Sequence, residues 1–196
     1  TPLWESRRSY QEERDKSEFR RTLWEVIVKL DPHADPELHI KEHWYSGDHE
    51  EFRKEGKLYS ARAIRAMQML NEAAATLEKI QPLREGEPSQ RWRANYDLAY
   101  AQVLAYRVRL FQFLLAMDQH VKNFPEPKDP KNNRWNLRRT RRMLQPDDEQ
   151  IKTTKVDVAK LEEQRILAED EFNKVIYHHP GTPWAYRAKY ELSQGF

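Results

Sequence analysis

Apolar residues recur three and four positions apart over most of this chain, the period of helices packed on one or two faces. Phe19, Leu23, Trp24, Val26, Ile27 and Leu30 predict a helix over about residues 1–30. "DPHADPE" ends it, because proline removes a backbone donor and disfavours helix in the residue before it. A less regular stretch with Trp44, Tyr45 and Gly47 follows, and Asp48 is placed to cap the next segment. Gly56 is expected to interrupt that segment, leaving a main helix over about 57–80 with Ile64, Met67, Leu70, Ala74 and Leu77.

"PLREGEP" reads as a connection, with Pro88 at the first position of a helix that runs to about Asn123, the longest predicted. This helix carries two apolar seams. One is Trp92, Tyr96, Ala99, Val103, Tyr106, Leu110, Phe113 and Met117; the other is Leu98, Ala101, Ala105, Val108, Phe111 and Leu115. A surface helix needs one seam, so two predict a central helix with neighbours on both sides. Residues 124–145, "FPEPKDPKNNRWNLRRTRRMLQ", lose the pattern and predict a long loop. Pro146 and the following acidic residues open another helix to about His178, with Ile151, Val158, Leu161, Leu167, Ala168, Phe172, Val175 and Ile176. His178 and His179 are expected near its last carbonyls. Thr182 as cap, Pro183 at the first position and Gly195 past the end delimit a short final helix.

The junction between these last two helices is tightly patterned. Ala168, Phe172, Val175 and Pro180 are followed by Trp184 and Ala188, so small and large residues alternate where two antiparallel helices would meet. "AEDEFNKVIYHHPGTPWAYRAKYEL" resembles tetratricopeptide repeats, in particular those of bacterial periplasmic proteins of the outer-membrane assembly lipoprotein and cell-division coordinator types. Two departures stand out: position 191, often Tyr in such repeats, is Glu191, and Tyr190 comes one residue early. Trp24, Ile27, Val28 and Pro32 echo Phe172, Val175, Ile176 and Pro180, while the middle of the chain shows no 34-residue period. "RWRANYDLAYAQVLAYRVR" and "HPGTPWAYRAKYEL" also resemble a helical segment of large bacterial proteins that carry a von Willebrand factor A domain. That resemblance implies a fragment of a longer protein and brings no catalytic residues. The periplasmic repeats imply a bacterial cell-envelope setting.

Composition narrows the chemistry. Only 5 of 196 residues are Gly and 34% are charged, which favours helices, and 22 aromatic residues (6 Trp, 9 Tyr, 7 Phe) supply enough apolar surface for a packed core. A net charge of +2 makes polyanion binding a matter of local clustering. The absence of cysteine excludes disulfides, thiol catalysis and Cys-ligated metal. No run of about 18 apolar residues predicts a membrane span. The opening "TPLWESRRSY" has neither Met nor a signal-peptide core, as expected of a processed chain or a piece of a larger one.

Four constellations are candidates for function. His39, His43 and His49, beside Glu42 and Glu50, lack the spacing of a known zinc motif; surface histidines are the expected reading, with no metal and no cofactor. Arg134, Arg138, Arg139, Arg141 and Arg142 around Trp135 suit phosphate or carboxylate groups, with Asp147, Asp148 and Glu149 near enough in sequence to neutralise them. Tyr96, Tyr100, Tyr106, Phe111 and Phe113 line either a groove or the core, and the two seams favour core; Tyr100 lies outside both. Tyr186 and Tyr190 share a face of the last helix that a further helix of an array would cover. There is no nucleophile elbow and no Gly-rich phosphate loop.

The expectation is therefore an all-α chain forming one domain over residues 1–196: an antiparallel helical array, tetratricopeptide-like at its C-terminal end (147–194), with one long central helix. It is expected to act as a non-catalytic scaffold binding another protein or another domain of its parent chain. Tyr186, Tyr190, Trp135, Arg138, Arg139, Arg141 and Arg142 are the candidate contact residues, and polyanion binding through 134–142 is the alternative. The oligomeric state is left open.

Overall fold

The computed structural model describes residues 7–140, 142–155 and 157–196; residues 1–6 of the first predicted helix, and Arg141 of the arginine cluster, lie outside the described residues. The fold is all-helical, with seven α-helices and one two-stranded ladder among the described residues. The first predicted helix is two, α1 (Arg7–Asp15) and α2 (Glu18–Lys29). Ser17 breaks it: its backbone is extended and its side chain accepts from the Arg20 amide at 3.4 Å.

Helix α3 (His49–Glu85) starts at the predicted Asp48 cap but runs through Gly56 and past Ile80, with Pro82 inside its last turns. Gly56 does not interrupt the helix because it serves as a contact point: a Cβ there would sit 3.0 Å from Met117 Cε. At 37 residues α3 exceeds the 34 of α4 (Gln90–Asn123), so the longest helix is not the one predicted. Pro88 is not the first residue of α4; Ser89 precedes the helix, its amide held by the Glu87 carboxylate at 2.9 Å.

The two seams of α4 are buried on opposite sides. Trp92, Tyr96 and Val103 pack with Phe19, Leu23 and Val26 of α2 and with Leu70, Ala74, Leu77 and Ile80 of α3. Ala101, Ala105 and Val108 pack with Leu161, Ala168, Phe172 and Val175 of α6 (Val158–His178) and with Ala188 of α7 (Pro183–Gln194). Helix α4 is thus the central helix. Tyr100, outside both seams, touches both clusters. Polar pairs tie the layers: Arg20 of α2 grips Glu87 at 2.6 and 2.9 Å, and Asp97 of α4 pairs with Arg84 of α3 and hydrogen-bonds the ring of the buried His179 at 2.8 Å.

The helix predicted over 146–178 is split. Asp147 and Gln150 form a reciprocal cap on α5 (Asp148–Thr154), Lys155 takes a left-handed φ of 53°, and Asp157 caps α6. Ile151, expected inside, is exposed; Gln150 is buried instead, because its amide bonds the Asp118 carboxylate at 2.7 Å. Ile64 and Leu167 are exposed as well. The predicted junction holds: Thr182 caps α7, Pro183 is its first residue, and Ala168, Phe172, Val175 and Ala188 are fully buried between α6 and α7. Gly195, at φ 72°, follows the helix. No helix among the described residues is long and apolar enough to cross a membrane.

The 124–145 segment is pinned at three places. Arg134–Trp135 (β2) pairs antiparallel with Tyr45–Ser46 (β1), the Leu137 amide donates to the Glu42 carbonyl at 2.8 Å, and Thr140 exchanges two backbone bonds with Phe196. Gly47 lets the strands meet, since a Cβ there would lie 2.7 Å from the Asn133 carbonyl. The Gly47→Ala variant is therefore expected to lose about 1–3 kcal/mol in urea denaturation, with faster hydrogen exchange at the Gly47 amide.

Trp135 closes an aromatic cluster with Tyr45, Phe52 and Phe124. His120 stacks into it, 4.5 Å from Phe52 and 4.6 Å from Trp135, and its buried Nε2 has no protein partner among the described residues. Burial, with His49 nearby, holds its pKa below the ordinary 6.5. Above that value both folded and unfolded chains carry neutral imidazole here. Below it the unfolded chain takes the proton first, so stability falls until the folded pKa is reached. Melting temperature should drop as pH falls below the ordinary imidazole value of 6.5, and the drop should shrink in His120→Gln.

Candidate functional site

The position where the repeat pattern failed is the most polar point of the interior. Glu191 is 2% exposed and its carboxylate receives Arg109 Nη1 at 2.5 Å, Tyr106 Oη at 3.0 Å, Gln102 Nε2 at 3.1 Å and Arg187 at 2.7 Å. Arg109, 6% exposed, also donates to the carbonyls of Glu191 (2.9 Å) and Gly195 (3.0 Å) and lies against the Phe196 ring. Burial alone would raise the Glu191 pKa, but the hydrogen bonds and charge of Arg109, with Gln102 and Arg187, outweigh it and hold the carboxyl below the usual range. Burial beside Glu191 pushes the Tyr106 phenol up. Every polar atom of the pair thus has a partner, the condition for a buried charge pair to be tolerated.

Arg109 also lies on the wall of a trench beside α4. One cleft, of about 420 Å³, is walled by Val26 and Ile27 of α2, by Leu30, Leu38 and Ile40, by Ala66 and Leu70 of α3, and by Ala99, Val103, Tyr106, Leu110 and Phe113 of α4. A second, of about 670 Å³, continues past Phe113 and Ala116 beside residues 137–140 and 142–145 and Phe196. The two share Glu42, Arg109, Phe113 and Arg139. Glu42 and Arg139 form an ion pair, so a salt link stands where the clefts join.

The candidate residues are distributed over several surfaces. Arg138, Arg139 and Arg142 line the second cleft. Their expected acidic neighbours are engaged elsewhere: Asp147 caps α5 and Glu149 pairs with Lys122 at 3.1 Å. Arg138 and Arg142 are exposed and form no ion pair among the described residues. Trp135 faces the aromatic cluster on the other side of the segment. Tyr186 and Tyr190 point outward from α7, 65% and 53% exposed, and line neither cleft. Tyr96 is core, donating to the Leu77 carbonyl at 3.0 Å; Phe111 packs on the second core cluster, whereas Tyr106 and Phe113 line the trench. His39, His43 and His49 are exposed on irregular chain or at a helix start, with His49 stacked on Phe124. No three His, Asp or Glu side chains among the described residues gather as a metal site.

The sequence reading named Glu42 only beside the histidines and Trp44 only as part of an irregular stretch, and it passed over Ile40 and Arg109. Trp44 is 69% exposed and held at φ 66°, its amide bonded to Asn136 Oδ1 at 2.9 Å, an uncommon backbone for a bulky residue. The one available signal was charge inside an apolar seam: Arg109 adjoins Val108 and Leu110. No family model, curated protein or solved structure matches this chain.

Removing one member of the buried pair should cost far more than removing both. Glu191→Ala leaves the Arg109 guanidinium without its carboxylate, and urea denaturation should show a loss of about 3–5 kcal/mol. The double variant Arg109→Met with Glu191→Leu should recover much of that loss.

Proposed function

We propose that the chain is a non-catalytic helical scaffold that binds another protein, or another domain of a longer parent chain, through the outer face of α7. The supporting observation is how that helix is held. Ala185, Ala188 and Glu191 fix its inner side, while Tyr186 and Tyr190, one turn apart, face water. Tyrosines on a rigid helix offer large contact area with few rotamers to freeze. In a stack of helix pairs this is the face that the next helix covers, so the tetratricopeptide-like reading of the α6–α7 junction supports a helical partner segment. The von Willebrand factor A resemblance would place that partner in the same parent protein.

A second reading is polyanion binding by the 134–142 arginines, favoured by the unpaired Arg138 and Arg142. The packed position of Trp135 weighs against base stacking, leaving charge alone.

Placing a photo-crosslinking residue at position 189, between the two tyrosines, should capture a discrete species in the source cell. The pair Tyr186→Ala and Tyr190→Ala should cut that capture about tenfold or more, with native circular dichroism. Unchanged capture by the folded double variant would sink the proposal.

A further inference from the structure

A second docking surface, independent of the tyrosine face, lies in the trench. We infer that it takes an amphipathic helix of another protein whose acidic residues replace Glu42 on Arg139 and reach Arg138 and Arg142. Three observations carry this. The first is shape. From Ala99 to Ala116 the trench follows α4 for about 26 Å, close to five helical turns. Its floor residues Val103, Tyr106, Leu110 and Phe113 step by three and four. Ridges at that spacing receive a second helix laid along them.

The second is charge. Among the described residues lining the far cleft, Arg138, Arg139 and Arg142 meet one acidic side chain, Glu42, while Asp147 and Glu149 of the acidic run that follows them are turned to α5 and Lys122. A partner that brings apolar side chains alone would leave this excess uncompensated at the edge of the contact; one carrying carboxylates would neutralise it. The third is the Glu42–Arg139 pair itself, with both side chains about one-third exposed. Glu42 is an internal carboxylate already bound at the place where a partner's carboxylate would go. It therefore competes with the partner, and it closes the trench at its middle when the partner is absent.

The test uses the whole chain and a labelled designed peptide of about 18 residues, with leucines at heptad positions a and d and glutamates at e and g. A second peptide carries lysine in place of every glutamate. By fluorescence anisotropy the glutamate peptide should bind at least about tenfold tighter than the lysine peptide, and less tightly as salt rises. The double variant Arg138→Glu with Arg142→Glu, both at exposed positions, should reverse that preference. Glu42→Gln should tighten the glutamate peptide several-fold, because the internal competitor is gone; a structural role for Glu42 alone would weaken it. Ala116→Trp, which fills the far cleft, should weaken it.

Equal binding of the two peptides overturns the proposal, as does no binding of either at about 1 mM. Displacement of the bound peptide by an equimolar amount of dodecanoate would assign the trench to an acyl chain instead. A dimer of the chain alone that the double arginine variant dissociates would assign it to a second copy. Loss of capture at α7 leaves these results untouched, so the two surfaces fail separately.

Discussion

A carboxylate and a guanidinium held away from water are the constraint on which the C-terminal half of the molecule depends. Arg109 sits mid-way along α4, next to core residues, and is almost wholly buried, with only its edge reaching the trench. Glu191 must therefore lie opposite it, which sets the rotation of α7 and its height along α4. The remaining guanidinium donor takes the Gly195 carbonyl, which holds the residues that follow α7 in place. Phe196 then pairs with Thr140, and the arginine segment is anchored beside the trench. One buried charge thus positions a helix, a chain terminus and a surface segment far apart in sequence.

The N-terminal half is organised differently. There the layers are held by apolar burial on the first seam of α4, with polar pairs at the ends of helices: Arg20 with Glu87, and Arg84 and His179 with Asp97. These pairs stand where backbone groups at helix termini also need partners, and Glu87 serves both needs by receiving Arg20 and the Ser89 amide. Helix α4 forms the common wall of both halves. The trench runs along a third stripe of α4 that no helix covers among the described residues.

What could be read in the sequence was whatever rests on periodicity or on strong local punctuation. The two seams of α4 identified the central helix, since apolar spacing reports burial directly. Thr182, Pro183 and the Ala168–Ala188 spacing located the α6–α7 junction, because caps and small residues act within a few positions. Misreadings came where tertiary contact decides. Gly56 looks like a breaker until Met117 is placed against it, and Ser17 is a cap only because the chain turns there. Ile151 and Gln150 exchange roles through a hydrogen bond to Asp118, which no spacing encodes. Glu191 was visible as a departure from a repeat pattern, but its meaning lay in Arg109, 82 positions away. Of the candidate contact residues, the arginines beside the trench were legible as a cluster; the cleft beneath them, assembled from Glu42, from Phe113 and Ala116 of α4, and from Phe196, was not.

The two proposed surfaces share a support without sharing contact residues. Arg109 forms part of the trench wall and also carries Glu191, one position from Tyr190 on α7. An alteration at Arg109 would disturb both surfaces at once through folding, whereas Tyr186, Tyr190, Arg138 and Arg142 point to water and carry little of the core. The architecture therefore separates what holds the molecule together from what it presents. The Arg109–Glu191 network is rigid because each of its partners is committed, and that rigidity holds the helix that carries Tyr186 and Tyr190 in place. The Glu42–Arg139 pair is the exception, being exposed enough to exchange partners and placed where the two clefts meet, so movement during binding should concentrate there.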